Sequence, residues 1–168
     1  LGFAFFSILV HIVIHATDFD IPVAKAVNVL SVVGGVSLGG RVMVGMAADR
    51  IGNKRILVIC LILMSAALFW LLTAGELWML YLFACIFGLG YGAFVVESPM
   101  IAELFGMKSH GALMGFAETG VVIGGTIGPI LTGYIYDVTN SYQLGFLING
   151  VMVVSGLIMA LLIKPITI

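Results

Sequence analysis

Charge is placed along this chain in a way that leaves few folds open. Residues 1–17, 56–75, 77–96 and 138–163 carry no Asp, Glu, Lys or Arg, residues 26–48 carry only Arg41, and residues 109–136 carry only Glu118. A helix needs about 20 mostly apolar residues to cross about 30 Å of hydrocarbon. The pattern therefore predicts an all-α, polytopic membrane protein with six transmembrane helices, over about 1–17, 23–48, 56–74, 77–97, 111–136 and 142–163. Barrel strands are excluded, because runs of this length do not alternate in and out. With 62% hydrophobic and 9% charged residues, the chain is neither an ordinary soluble globule nor a disordered segment. Seven Lys+Arg stand against eight Asp+Glu, so there is no basic surplus for a nucleic-acid partner. Cys60 and Cys85 both lie in apolar runs and are expected to pack as small hydrophobes.

The connectors are short and polar. Residues 17–22 and 137–142 read as turns, Gly75-Glu76 as a tight hairpin, and residues 98–110 as a longer link with room for a surface helix. The 49–55 stretch, Asp-Arg-Ile-Gly-Asn-Lys-Arg, is the most charged. If it is cytoplasmic, Arg50, Lys54, Arg55, Lys108 and Lys164 fall inside and only Lys25 falls outside, as the positive-inside rule requires. The expected location is the cell membrane, with the 49–55 loop and the C-terminus cytoplasmic. No Pro/Ser-rich linker divides residues 1–168, which are assigned to one domain. The chain begins with Leu1, and its start is expected to lie inside a larger protein.

Glycines fall within the helices at GxxxG spacing: Gly35/Gly39, Gly88/Gly92, Gly111/Gly115 and Gly120/Gly124/Gly128. In lipid such spacing lets helix backbones approach closely. Gly128-Pro129 adds a missing backbone donor, so Gly124, Gly128 and Pro129 are expected to bend or hinge the fifth span.

Polar groups inside spans are costly and usually face a cavity or a partner. Arg41 is eight residues before Asp49, roughly 12 Å from the helix end at 1.5 Å per residue. Its helical face carries Leu30, Gly34, Ser37 and Gly45, a small, partly polar strip suited to water. A guanidinium there can clasp a carboxylate with two hydrogen bonds; a structural ion pair or snorkelling to the interface is the plainer alternative. Glu118 shares a face with Gly125, Pro129 and Thr132. Three readings stand for it: a proton-coupling carboxylate, a counter-charge for Arg41 or another segment, or an interfacial residue. Ser7, His11 and His15 recur every four residues and share one face, read either as a pore-facing stripe or, for His15, as packing. No acidic or thiol group on that helix completes a metal site. Glu97 and Glu103 are expected near the inner interface, pairing with Lys108 or Arg55; Asn149 is expected to bond between helices, and Trp70, Trp78 and Tyr81 to anchor the outer interface. No nucleotide-binding or catalytic spacing is present, so neither an enzyme nor a cofactor or metal is expected.

Gly45-Met-Ala-Ala-Asp49-Arg50-Ile-Gly52-Asn-Lys54-Arg55 resembles the G-x-x-x-D-R-x-G-x-K/R-K/R signature of the major facilitator superfamily, which joins helices two and three and recurs between helices eight and nine. Gly124-Gly-Thr-Ile-Gly128-Pro129 resembles that family's Gly-Pro helix pattern. The resemblance implies one half of a 12-helix transporter, built as two inverted three-helix repeats, with the C-terminal half favoured. It also implies a secondary transporter that works by alternating access, gated at Asp49, Arg50 and Arg55. The partners implied are a small-molecule substrate with H+ or a counter-anion, the lipid bilayer, and the N-terminal half of the same transporter. His11-Ile-Val-Ile-His15-Ala, together with Arg41 eight residues before Asp49, is similar to the oxalate/formate antiporter and monocarboxylate transporter branch. There the arginine of the eighth helix binds the substrate carboxylate. This implies a small organic anion at Arg41, with His11, Ser37 and Glu118 as further candidates; an exporter of neutral or cationic drugs, or a non-transporting membrane scaffold, is the alternative. Two residues depart from the branch. Ser37 stands where monocarboxylate carriers have an aspartate, and Glu118 falls about where the oxalate exchanger has a lysine.

Overall fold

The computed structural model describes residues 1–163; Lys164, expected at the cytoplasmic side, lies outside them. The helices are α1 (Gly2–Thr17), α2 (Val23–Ile51), α3 (Asn53–Leu71), α4 (Leu77–Gly90), α5 (Ala93–Phe105), α6 (His110–Thr139) and α7 (Gln143–Leu162). Five helical segments have membrane-crossing length and hydropathy, α4 and α5 together forming one of them, and α1 is a shorter apolar helix. Six apolar spans result.

The boundaries differ from the sequence-based expectation in two instructive places. The 49–55 stretch is almost wholly helical, and only Gly52 interrupts it. Asp49 and Arg50 extend α2 by one turn, Lys54 and Arg55 open α3, and Gly52 turns the chain between them at φ 94°, a backbone region that glycine adopts without steric cost. The fourth span breaks at Tyr91-Gly92. There the ladder tightens to bonds spanning three residues, with Gly92 N–H to Leu89 O at 3.0 Å and Val95 N–H to Gly92 O at 2.9 Å. Most of the backbone therefore stays hydrogen-bonded through the break, as a hydrocarbon setting demands. The helix then runs past Pro99 to Phe105, so the link to α6 is only residues 106–109.

The packing has an internal symmetry. α1 lies against α6 and α2 against α4; α3 lies against α7; α3 meets α4 and α5 where α1 meets α7; α1 meets α2 where α5 meets α6; and α2 meets α3 where α6 meets α7. Exchanging span one with four, two with five and three with six maps the α3–α7 pairing onto itself and each of the others onto another of the set. Because three spans separate the partners, the two units run in opposite directions, as in inverted-repeat transporters. Small residues set the two symmetric crossings. A Cβ on Gly88 would meet the Val33 carbonyl oxygen at 2.9 Å, and one on Gly128 would meet Ser7 Oγ at 2.6 Å. Gly124 also packs on α1, against the Phe3 backbone. Gly35, Gly39, Gly111, Gly115 and Gly120 instead face open space.

The core is apolar and aromatic, with Phe83, Phe87, Phe146, Ile8, Ile12, Met64 and Leu68 fully enclosed. Asn149, also enclosed, donates to Thr132 Oγ1 at 3.2 Å and joins α7 to α6. Cys60 is buried, whereas Cys85 faces outward. Helices α2 and α6, the symmetric second and fifth spans, are the least covered. Only 6% of the apolar window of α6 and 22% of that of α2 is buried, against 50% for α3. The small-residue strips that touch nothing lie on these two helices.

Candidate functional site

Arg41 lies on the exposed side of α2. Its Cζ stands 4.7 Å from the centre of the Tyr91 ring, within range of a cation–π attraction. Tyr91 caps α4 at the break in the fourth span, so the break delivers the ring to the guanidinium. Phe5 of α1 stacks on Tyr91 at 3.9 Å, and Phe94 leans on it at 4.8 Å. Three elements thus build an aromatic shelf under one cation. Among the described residues no carboxylate pairs with Arg41. A planar fork supported by a ring and free of a carboxylate partner is suited to a carboxylate ligand. Tyr91 was not legible as a site residue, because nothing local marks an aromatic residue that a distant cation will use.

The other sequence candidates divide. Ser37 is buried on α2, and its hydroxyl donates to Gly34 O of the same helix at 2.8 Å. Glu118 is exposed on α6. It lies near Glu97 of α5, which lines a cavity of about 560 Å³ with Leu1, Gly120, Gly124 and Met152. No ion pair joins Glu118 to Arg41 among the described residues.

The Ser7, His11, His15 stripe does share one face, but that face is turned into the bundle rather than toward an opening. Ser7 is 0%, His11 8% and His15 7% exposed. Both ring nitrogens of His11 are engaged, Nε2 with Pro129 O at 2.9 Å and Nδ1 with the Tyr142 hydroxyl at 3.2 Å. His11, expected among the substrate contacts, has both ring nitrogens hydrogen-bonded inside the bundle. His15 sits among Phe19, Tyr142 and Phe146, each ring nearly perpendicular to it.

At the end carrying the charged signature, a Cβ on Gly45 would meet Val95 of α5 at ordinary contact distance, and Asp49, Arg50 and Arg55 lie toward the surface. Lys54 donates to Leu161 O at 3.1 Å and also to Ile163 O. It thereby neutralises the carbonyl end of α7, where a cation is favoured. Glu103 accepts from Asn53 Nδ2 at 2.7 Å, so the expected pairing of Glu103 with Lys108 or Arg55 is replaced by one to the residue just after Gly52. Ser98 Oγ and His110 Nε2, 3.1 Å apart, tie α5 to the start of α6. At the opposite end Trp70 and Trp78 meet edge to face at 6.1 Å.

Comparison with known proteins fits this arrangement. The chain is 29% identical over 155 residues to monocarboxylate transporter 13 of Rattus norvegicus, covering 90% of this chain and 36% of that protein. It is 28% identical over 152 residues to an agnestins efflux protein of Paecilomyces divaricatus, covering 88% and 34%. It is 24% identical over 149 residues to monocarboxylate transporter 9 of Gallus gallus, covering 85% and 27%. The chain thus spans about a third of the length of these relatives. The family model of the major facilitator superfamily matches residues 1–167. With six apolar spans in two symmetric triplets and the charged turn between the second and third, this chain belongs to the major facilitator superfamily of multi-pass membrane transporters.

Proposed function

We propose that this chain is the C-terminal six-helix half of a secondary transporter for a small organic anion of the monocarboxylate class. Arg41 on its aromatic shelf carries the reading. The guanidinium binds the passenger's carboxylate with two N–H donors, while Tyr91 supports it from the protein side. The exposed faces of α2 and α6 meet an N-terminal half, and the passenger sits between the halves near the midplane. The 49–55 turn lies at the cytoplasmic side of the cell membrane, as lysine and arginine placement favours. There Asp49, Arg50 and Arg55 latch the gate against the other half during alternating access, and Gly45 and Gly52 set the helix approach and the turn. Glu118, on a helix facing the same interface, is the carboxylate available to a coupling proton; a counter-anion is the other coupling partner.

The similarity to an efflux protein and the neighbouring carboxylates Glu97 and Glu118 favour one second reading, an exporter of neutral or cationic compounds. Competition separates the two. In vesicles containing the full-length protein, lactate and formate should inhibit flux of a labelled monocarboxylate, and a lipophilic cation should not. Inhibition by the cation alone would establish the exporter.

A further inference from the structure

Proline 129 leaves α6 without one amide donor, yet α6 continues through it from His110 to Thr139. A proline inside a helix frees a carbonyl one turn back and loosens the ladder. The carbonyl so freed is that of Gly125, and a separate bond from outside the helix holds the proline itself. His11 of α1 reaches the Pro129 carbonyl through Nε2 at 2.9 Å. A carbonyl oxygen only accepts, so Nε2 carries the hydrogen in the neutral ring and Nδ1 is the acceptor. Tyr142, just before α7, completes the set by donating its hydroxyl to Nδ1 at 3.2 Å. Burial, with Tyr136, Asp18 and Asp137 nearby, pushes the Tyr142 phenol up to about 12, so it keeps its proton at neutral pH. Gly133, one turn beyond Pro129, leaves room for the ring: a Cβ there would stand 3.3 Å from His11 Cε1. One imidazole thus joins α1, α6 at Pro129 and the entry to α7.

We infer that His11 is a positioning residue, a clip that fixes the setting of α6 at Pro129 against α1 and Tyr142. The inference rests on the transporter reading for its purpose: α6 carries Glu118 and one of the two least covered faces, and a carrier must move such a face during its cycle. His11 touches no passenger. Its loss therefore changes how readily α6 moves and leaves anion binding at Arg41 intact.

Hydrogen–deuterium exchange of the full-length protein in nanodiscs tests the clip without reference to flux. His11→Leu should raise exchange in residues 125–136 by about five- to tenfold, the scale of one lost hydrogen bond. Exchange in residues 60–71 of α3 should stay unchanged. His11→Gln, whose amide can donate to Pro129 and accept from Tyr142, should restore protection to within about twofold. Tyr142→Phe, which removes only the hydroxyl, gives a second probe should the leucine variant fail to fold, and should raise exchange in the same segment. In parallel flux assays His11→Leu should lower the maximal rate and leave the half-saturating anion concentration within about twofold. Unchanged exchange at 125–136 in both Leu and Phe variants, an equal rise in α3, or no rescue by Gln would overturn the clip. Absence of anion flux in the wild-type protein with the exchange pattern intact would instead remove the transporter reading alone.

Discussion

Replacing Arg41 by Gln abolishes saturable monocarboxylate uptake by the full-length protein while the protein still folds and reaches the membrane. Charge-assisted hydrogen bonds contribute about 1.5–3 kcal/mol each, so losing a two-pronged clasp weakens anion binding at least about 100-fold. Folding is spared because Arg41 is exposed and its one aromatic contact is the Tyr91 ring. Arg41→Lys retains charge but loses the planar fork and the stacked face, and uptake falls at least about tenfold. Tyr91→Phe keeps the shelf and stays near wild type, whereas Tyr91→Leu removes the cation–π attraction, worth about 0.5–1 kcal/mol at a partly exposed site. Initial uptake rates over a range of anion concentrations, normalised to surface expression, check the series. Wild-type uptake in Arg41→Gln would remove Arg41 from the site.

A side chain at Gly128 drives α1 and α6 apart. A methyl there collides with the Phe3 carbonyl and comes within 2.6 Å of Ser7 Oγ. Backbone cannot swing aside as a side chain can, so Gly128→Ala should destabilise by about 1–3 kcal/mol, the usual range for overpacking, and Gly128→Leu by more. Gly120, two glycine steps earlier in the same repeat, has open space within 4 Å of where a methyl would stand. Gly120→Ala should therefore be neutral, or gain up to about 1 kcal/mol from helix propensity. Thermal unfolding of the purified protein in detergent compares the two. Equal shifts for Gly120→Ala and Gly128→Ala would contradict the crossing of α1 and α6.

The contrast between those two glycines shows what the sequence could and could not carry. Spans were legible because the cost of charge in hydrocarbon is large and local: Arg41 and Glu118 were the only interruptions in two long runs. GxxxG spacing marked faces able to pack closely, but only tertiary structure decides that Gly128 touches α1 while Gly120 touches nothing. The same limit applies to His11 and His15. A four-residue interval puts them on one face and says nothing about whether that face looks into the bundle or into water. The 49–55 stretch looked like a loop because of its charge, yet Asp49, Arg50, Lys54 and Arg55 sit comfortably on the ends of two helices, with Gly52 alone making the turn. The break at Tyr91-Gly92 was hidden for another reason. An apolar run with several glycines suits a continuous span as well as a tightened one, and its consequence, the shelf under Arg41, joins residues far apart in the chain.

The most direct test of anion binding at Arg41 leaves that residue in place and probes beside it. Gly34 is exposed on α2, two helical turns before Arg41, with open space for a side chain. Gly34→Cys, made with Cys60→Ala and Cys85→Ser, provides one thiol near the guanidinium. A charged, membrane-impermeant thiol reagent should label it, and millimolar lactate or formate should slow labelling while a lipophilic cation does not. No labelling by the charged reagent despite labelling by a lipid-soluble maleimide would place this face in lipid and contradict the account, as would protection by the cation alone.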